Sequence, residues 1–162
     1  MNRPPTLEWT IKLSFLRYIA SMPDGRCSVT DGADVVMTPD AGHGPFSFAL
    51  DSADKTDGTW RLHYRGDVRF AGHHGFLFVR IADPAVVIQG GFGQLSVCGE
   101  HDGPTRVPLV RFTVPTHDAA ATTTWRCTDV RLTAEGAELF GGVYHEDDVF
   151  DDLTITLPSV TT

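Results

Sequence analysis

The chain has 162 residues, 41% of them apolar and 21% charged, with a net charge of −8. That is ordinary globular composition, which excludes a disordered chain, and the length suits a single domain over residues 1–162. The acidic balance, with Lys12 and Lys55 the only lysines, argues against a nucleic-acid or anionic-membrane surface, because phosphate contacts need clustered Lys and Arg.

Residues 7–22 form the only good helix candidate before residue 130. Ile11, Phe15, Tyr18 and Met22 recur at helical spacing, Leu16 and Ile19 widen their face, and Lys12 and Arg17 fall opposite. Tyr18 is therefore expected on a buried face. Pro23 and Gly25 stop the helix. Gly44-Pro45 then introduces an alternating run at 46–50, and a polar connection at 51–58 ends in Asp57-Gly58, a hairpin signal. From Trp60 through Leu62, Tyr64, Gly66 and Val68 to Phe70 every second residue is apolar, the clearest strand pattern in the chain. Gly72-His73-His74-Gly75 breaks it, and 76–81 resumes as a strand apolar on both faces until Asp83-Pro84. Further strands are predicted at 85–88, 94–98, 107–114 and 123–132, then a short helix at 134–140 and a last strand at 153–157. Eight or nine short strands at this spacing predict a mainly β fold: one antiparallel sandwich or barrel with one or two short helices.

The paired imidazoles flanked by glycines are the most unusual local feature. In extended backbone their side chains would point to opposite faces, so that only one faces a given cavity. On the motif alone, a solvated surface turn outweighs a ligand-facing imidazole. Tyr18, taken alone, is a core tyrosine whose hydroxyl bonds some backbone group. The sharper reading is a phenolate, a hard anionic donor that suits ferric iron. A phenol ionises in water only near pH of about 10, so a metal's charge and a neighbouring imidazole or guanidinium would have to assist. The acidic residues Glu146, Asp147, Asp148, Asp151 and Asp152 lack EF-hand spacing and read as a solvated loop. Gly90-Gly91-Phe92-Gly93 is followed by no phosphate-loop lysine and reads as a hairpin. His43, His101 and His117 sit in polar loops. Cys27, Cys98 and Cys127 form no CxxC pair, and an odd count fits free thiols in a reducing compartment. No GxSxG, HExxH or Cys–His nucleophile pattern occurs, so hydrolase chemistry has no support.

Three ordered blocks resemble the HtaA domain, the haem-binding repeat of actinobacterial haem-uptake proteins. The first is Leu7-Glu8-Trp9 with Lys12, Ser14-Phe15 and Tyr18. The second runs from Gly66-Asp67-Val68-Arg69-Phe70 through Gly72-His73-His74-Gly75 to Ile81-Ala82-Asp83-Pro84. The third is Leu132-Thr133 with Gly136 and Phe140-Gly141-Gly142-Val143-Tyr144. The resemblance implies a mostly antiparallel β fold that binds haem beside a short helix. It also implies a tyrosine iron ligand at Tyr18, with His73 as its hydrogen-bond partner or a second ligand. His74, at a position where the family pattern varies, Phe15 and Phe76 are further candidates for haem contact, and His101 is a loose candidate for the family's second histidine.

The leading expectation is ferric haem bound in an apolar pocket by a domain that handles haem inside the cell. The alternative is a cofactor-free cyclase of natural-product biosynthesis that holds a large apolar substrate in the same cavity, lined by Trp60, Phe70, Phe76, Phe78 and Phe92. Either ligand would be apolar and large. The stretch from Trp9 to Met22 is interrupted by Lys12 and Arg17 and ends without a small-x-small cleavage site, so it is expected to belong to the domain and not to a leader. No segment approaches the roughly 20 apolar residues of a membrane span. Those readings together predict a cytoplasmic location, with a homo-oligomer left open.

Overall fold

The computed structural model describes residues 5–36, 45–99, 105–115 and 124–158. The chain opens with strand β1 (Thr6–Trp9) and helix α1 (Leu13–Ser21). Strands β2 (Arg26–Thr30), β3 (Ala33–Val35), β4 (Phe46–Thr56), β5 (Thr59–Arg65) and β6 (Asp67–Gly72) follow. A left-handed turn (His73–Gly75) leads into β7 (Leu77–Ala82), β8 (Ala85–Gln89), β9 (Phe92–Cys98), β10 (Arg106–Thr113) and β11 (Thr124–Leu132). Helix α2 (Ala134–Leu139) and β12 (Leu153–Thr156) complete it.

Eight strands pair antiparallel in the order β1-β12-β11-β10-β9-β8-β5-β4, and β4 returns to pair with β1, which closes a barrel and removes its free edges. Strand β3 adds to β4 beside the barrel, and β2-β6-β7 form a separate three-stranded sheet. Of the antiparallel sandwich or barrel with one or two short helices that was expected, the chain builds the barrel, with two α-helices. One continuous buried cluster joins barrel residues such as Leu62, Leu95 and Ile155 to Phe15 of α1 and Phe70 of β6.

Three boundaries differ from the sequence reading. The predicted helix at 7–22 begins only at Leu13. Leu7 and Trp9 alternate into the core of β1, the Trp9 indole donates to the Asp151 carbonyl at 2.8 Å, and Ile11 has φ 70, outside any right-handed helix. Barrel closure thus outweighs a helical period that both patterns shared. Next, the polar residues after Leu50 continue β4 as far as Thr56, paired with β5, and only Asp57-Gly58 (φ 52 and 79) make the turn. The long alternating run is two strands split at Gly66, where φ is 149 and a Cβ would lie 2.7 Å from both Ala33 Cβ and Phe48 Cδ1. Only glycine lets the chain leave the barrel there and enter the second sheet.

Strands β2 and β3 had no forecast, because their apolar alternation spans only Cys27 and Val29 in one and Ala33 and Val35 in the other, and all their residues are exposed or half-buried. The three cysteines are free thiols; burial pushes the Cys127 thiol up to about 12. Among the described residues no helix is long and apolar enough to cross a membrane.

The second sheet holds a buried charge. Arg69 and Arg80 face each other across β6 and β7, where like charges repel. The almost fully buried Asp67 carboxylate accepts from both guanidinium groups at 2.9–3.2 Å. Burial alone pushes this carboxyl up, but the hydrogen bonds and charges of the two arginines outweigh it and hold it below the usual value. The stabilisation is therefore present above the unfolded carboxyl pKa of about 3.9 and disappears as pH falls through the lower folded value. Asp67→Asn should cost about 3 kcal/mol at neutral pH and flatten part of the acid limb. Urea melts of both proteins between pH 3 and 7 check this; parallel acid limbs would refute it.

Candidate functional site

Helix α1 is fastened at its start by the segment before β12. Lys12 Nζ donates to the Val149 carbonyl at 2.6 Å and lies over the Tyr144 and Phe150 rings. The Leu13 N–H donates to the Asp151 carboxylate at 3.1 Å. Along the helix Phe15 and Ile19, four residues apart, form the buried stripe. Tyr18 falls on the flank of that stripe and is 40% exposed, which corrects the expectation that it is buried. Phe15 is fully buried, its ring edge-on to Phe70 at 5.1 Å and Phe140 at 5.2 Å. It forms the floor beneath the helix and is not part of the open surface.

Opposite Tyr18 stands the tip of the β6–β7 hairpin. Gly72 pairs with Leu77, so residues 73–76 make the connection. Gly72 admits the end of α1, since a Cβ there would lie 2.7 Å from Met22 Sδ. His73 and His74 have φ 50 and 56, left-handed and not extended, so their side chains do not alternate as a strand's would. His73 Nε2 and Tyr18 Oη share a hydrogen bond of 2.5 Å, with ring centroids 5.7 Å apart. The His74 side chain is 94% exposed. Phe76, whose N–H donates to the His73 carbonyl, is also 94% exposed.

Three further residues meet here that sequence reasoning did not assign to the site. The Asp24 carboxylate accepts the N–H groups of His73 at 3.3 Å and His74 at 2.7 Å. Tyr144 packs edge-on against Phe15 at 6.2 Å. Burial, and after it the nearby Asp148 carboxylate, push its phenol up, against a hydrogen bond with Ser14 that lowers it. Ser14 precedes Tyr18 by one helical turn, a spacing that could have flagged it. Tyr144 closes the third HtaA-like block of the sequence, whereas Asp24 carries no such signal, because only the fold brings it near.

The five aromatics expected to line one cavity do not converge. Phe70 is buried in the core, and Trp60 packs on Trp125 at 5.7 Å. Phe92 lines an outer groove across β8–β11 with Arg111 and Arg131, and Phe78 is exposed on β7. An apolar cavity of 330 Å³ lies under α1, walled by Leu16, Ile19, Cys27, Val29, Phe46 and Phe70, and the Tyr18–His73 pair is not among its walls. Among the described residues no three His, Cys, Asp or Glu side chains gather as a metal cluster. In the acidic segment Asp147 and Asp152 pair with Arg111 and Arg126. His43, His101 and His117 lie outside the described residues.

The family model of HtaA matches residues 5–156. The chain belongs to the HtaA family. Two solved HtaA domains share its fold, both from Corynebacterium glutamicum. The C-terminal domain of HtaA is 22% identical with a TM-score of 0.74, over 95% of this chain and 96% of that one. The N-terminal domain is 24% identical with a TM-score of 0.73, over 97% and 98%. The heme binding protein HtaB of the same organism is 20% identical with a TM-score of 0.68, over 93% and 90%. A comparison with curated proteins finds no match. The HtaA blocks quoted from the sequence are also the ones that build the site: the first supplies β1 and α1, the second the hairpin tip, and the third α2 and Tyr144.

Proposed function

We propose that this HtaA domain binds ferric haem on the open surface beside α1, with Tyr18 as the residue that would hold the iron and His73 as its hydrogen-bond partner. The observation that carries the reading is the 2.5 Å contact between Tyr18 Oη and His73 Nε2, made by residues 55 apart in sequence and open to solvent. A structural role would more simply seal a tyrosine hydroxyl against backbone in the core. Phe76, almost wholly exposed beside the pair, offers an unpaired aromatic face to a flat apolar ligand. The family membership and the likeness to a heme binding protein lend further support.

When bound, haem supplies a Lewis-acidic ferric iron and a broad apolar face. With the hydroxyl donating to Nε2, the phenol proton has a place to go. On binding, that proton would pass from Tyr18 Oη to His73 Nε2, and the Tyr18 oxygen holding the iron would keep a charge-assisted hydrogen bond to the imidazole. Phe15 beneath and Lys12 at the helix start keep α1 from yielding as the ligand seats.

Hemin titration of the purified domain tests the proposal. A Soret band that saturates at one equivalent is expected. His73→Ala should weaken affinity about 10- to 100-fold, the usual range for a residue that supports a ligand. His74→Ala should weaken it less, because that side chain points to solvent. Absence of stoichiometric saturation would remove the haem reading.

A further inference from the structure

The hairpin tip that presents His73 is strained. His73, His74 and Gly75 follow one another at φ 50, 56 and 91, all left-handed. Glycine adopts that region freely, but a residue with a Cβ does so at a cost and needs something to hold it. Both residues are exposed: the His73 side chain meets only the Tyr18 ring and hydroxyl among the described residues, and His74 Nδ1 lies 4.0 Å from the Asp24 carboxylate. What grips the tip is Asp24, in the turn between α1 and β2.

The register explains how Asp24 arrives there. Strand β2 pairs antiparallel with β6, its last partners being Arg26 and Ala71. Continuing that register two residues further sets position 24 opposite position 73. One carboxylate oxygen accepts the His73 N–H at 3.3 Å and the other accepts the His74 N–H at 2.7 Å. Two parallel amides pointing at one carboxylate is a geometry that extended backbone, with successive N–H groups on opposite edges, does not supply. The His74 N–H, ahead of the other contacts, holds the Asp24 carboxyl below the usual aspartate value.

We propose that Asp24 is a positioning residue: its carboxylate clamps the two amides, holds the tip left-handed, and thereby aims His73 Nε2 at Tyr18 Oη. The same carboxylate ties the end of the helix that carries Tyr18 to the hairpin that carries His73, so the spacing of the pair is set from one side chain. For its haem-binding arm the inference rests on the proposed function; its structural arm does not.

The test uses the ligand-free domain first. In 15N-labelled protein the His73 Nε2 resonance reports the contact with Tyr18, and the His74 amide reports the clamp through its exchange protection. Asp24→Ala should shift the first and remove the second. Asp24→Asn, whose amide oxygen can accept only part of what the carboxylate accepts, should lie between, and it serves if the alanine variant does not fold. Adding His74→Gly to Asp24→Ala should restore much of the His73 signal, since glycine takes φ near +56 without a clamp. In hemin titrations Asp24→Ala should weaken affinity about tenfold or more, with partial recovery in the double variant. Unchanged His73 and His74 signals in Asp24→Ala would overturn the inference, as would failure of His74→Gly to recover anything. If the parent domain binds no hemin, the haem reading falls while the ligand-free spectra still decide on Asp24.

Discussion

Tyr18→Phe should lose haem affinity by more than about 100-fold, beyond what removing a supporting residue costs. The substitution takes away one oxygen and nothing else. Tyr18 is 40% exposed, and among the described residues its hydroxyl has one partner, His73, so the folded state forfeits a single exposed hydrogen bond. That is worth about 1 kcal/mol or less against water. A thermal melt should therefore barely move while the hemin titration collapses. The residual complex should also lack the vibrational signature of tyrosine ligation in resonance Raman spectra. This separation of stability from binding is what marks a ligand, because a structural tyrosine would show the opposite: an altered melt with little change in binding. Hemin bound by Tyr18→Phe with unchanged affinity and spectrum would move the ligand elsewhere and leave the Tyr18–His73 contact as a surface hydrogen bond.

The sequence carried the architecture better than it carried the site. Alternation at Trp60, Leu62 and Tyr64, and again at Leu95 and Val97, marks strands because a barrel wall buries one face only. Asp57-Gly58 and Gly90-Gly91 mark hairpins because both residues of each turn need positive φ. Where two periods coincide, local pattern fails. Leu7, Trp9 and Ile11 satisfy a strand, and Ile11, Phe15, Tyr18 and Met22 satisfy a helix; the switch between them sits at a left-handed Ile11 that no propensity foretells. The same overlap misplaced Tyr18 on the buried face, since a stripe narrower than the helical face has room only for Phe15 and Ile19. The Tyr18–His73 pairing became legible through the family resemblance, and their meeting depends on β2 pairing with β6, which sequence could not show because β2 is an exposed strand. Asp24 was invisible for the same reason, since its partners His73 and His74 lie 49 and 50 residues along the chain. Tyr144 stood in the third resemblance block, but nothing local to it tells that it meets Phe15.

Phe15→Ala should destabilise the domain by about 4 kcal/mol, the largest single effect on stability expected for this part of the fold. The phenyl ring is completely buried and joins α1 to two other pieces of chain, β6 and the segment from the end of α2 to Tyr144. It meets Phe70 of β6 edge-on at 5.1 Å, Phe140 at the end of α2 at 5.2 Å, and Tyr144 at 6.2 Å. Those partners are themselves fixed: Phe70 also meets Phe46 at 5.8 Å, and Phe140 meets Phe150 at 5.3 Å. They cannot close over the lost ring, so most of the cavity should persist and the cost should fall in the upper part of the usual range. In a domain of this size that lowers the melting temperature by about 10 °C. Phe15→Leu, which refills most of the volume, should recover more than half of it. Haem affinity should follow stability in both variants and return with leucine, because Phe15 carries the helix under Tyr18 and does not reach the ligand surface. A melt of Phe15→Ala within about 1 kcal/mol of the parent would show that the aromatic cluster relaxes freely. Leucine that restores the melt but not hemin binding would instead put the Phe15 ring in contact with the ligand.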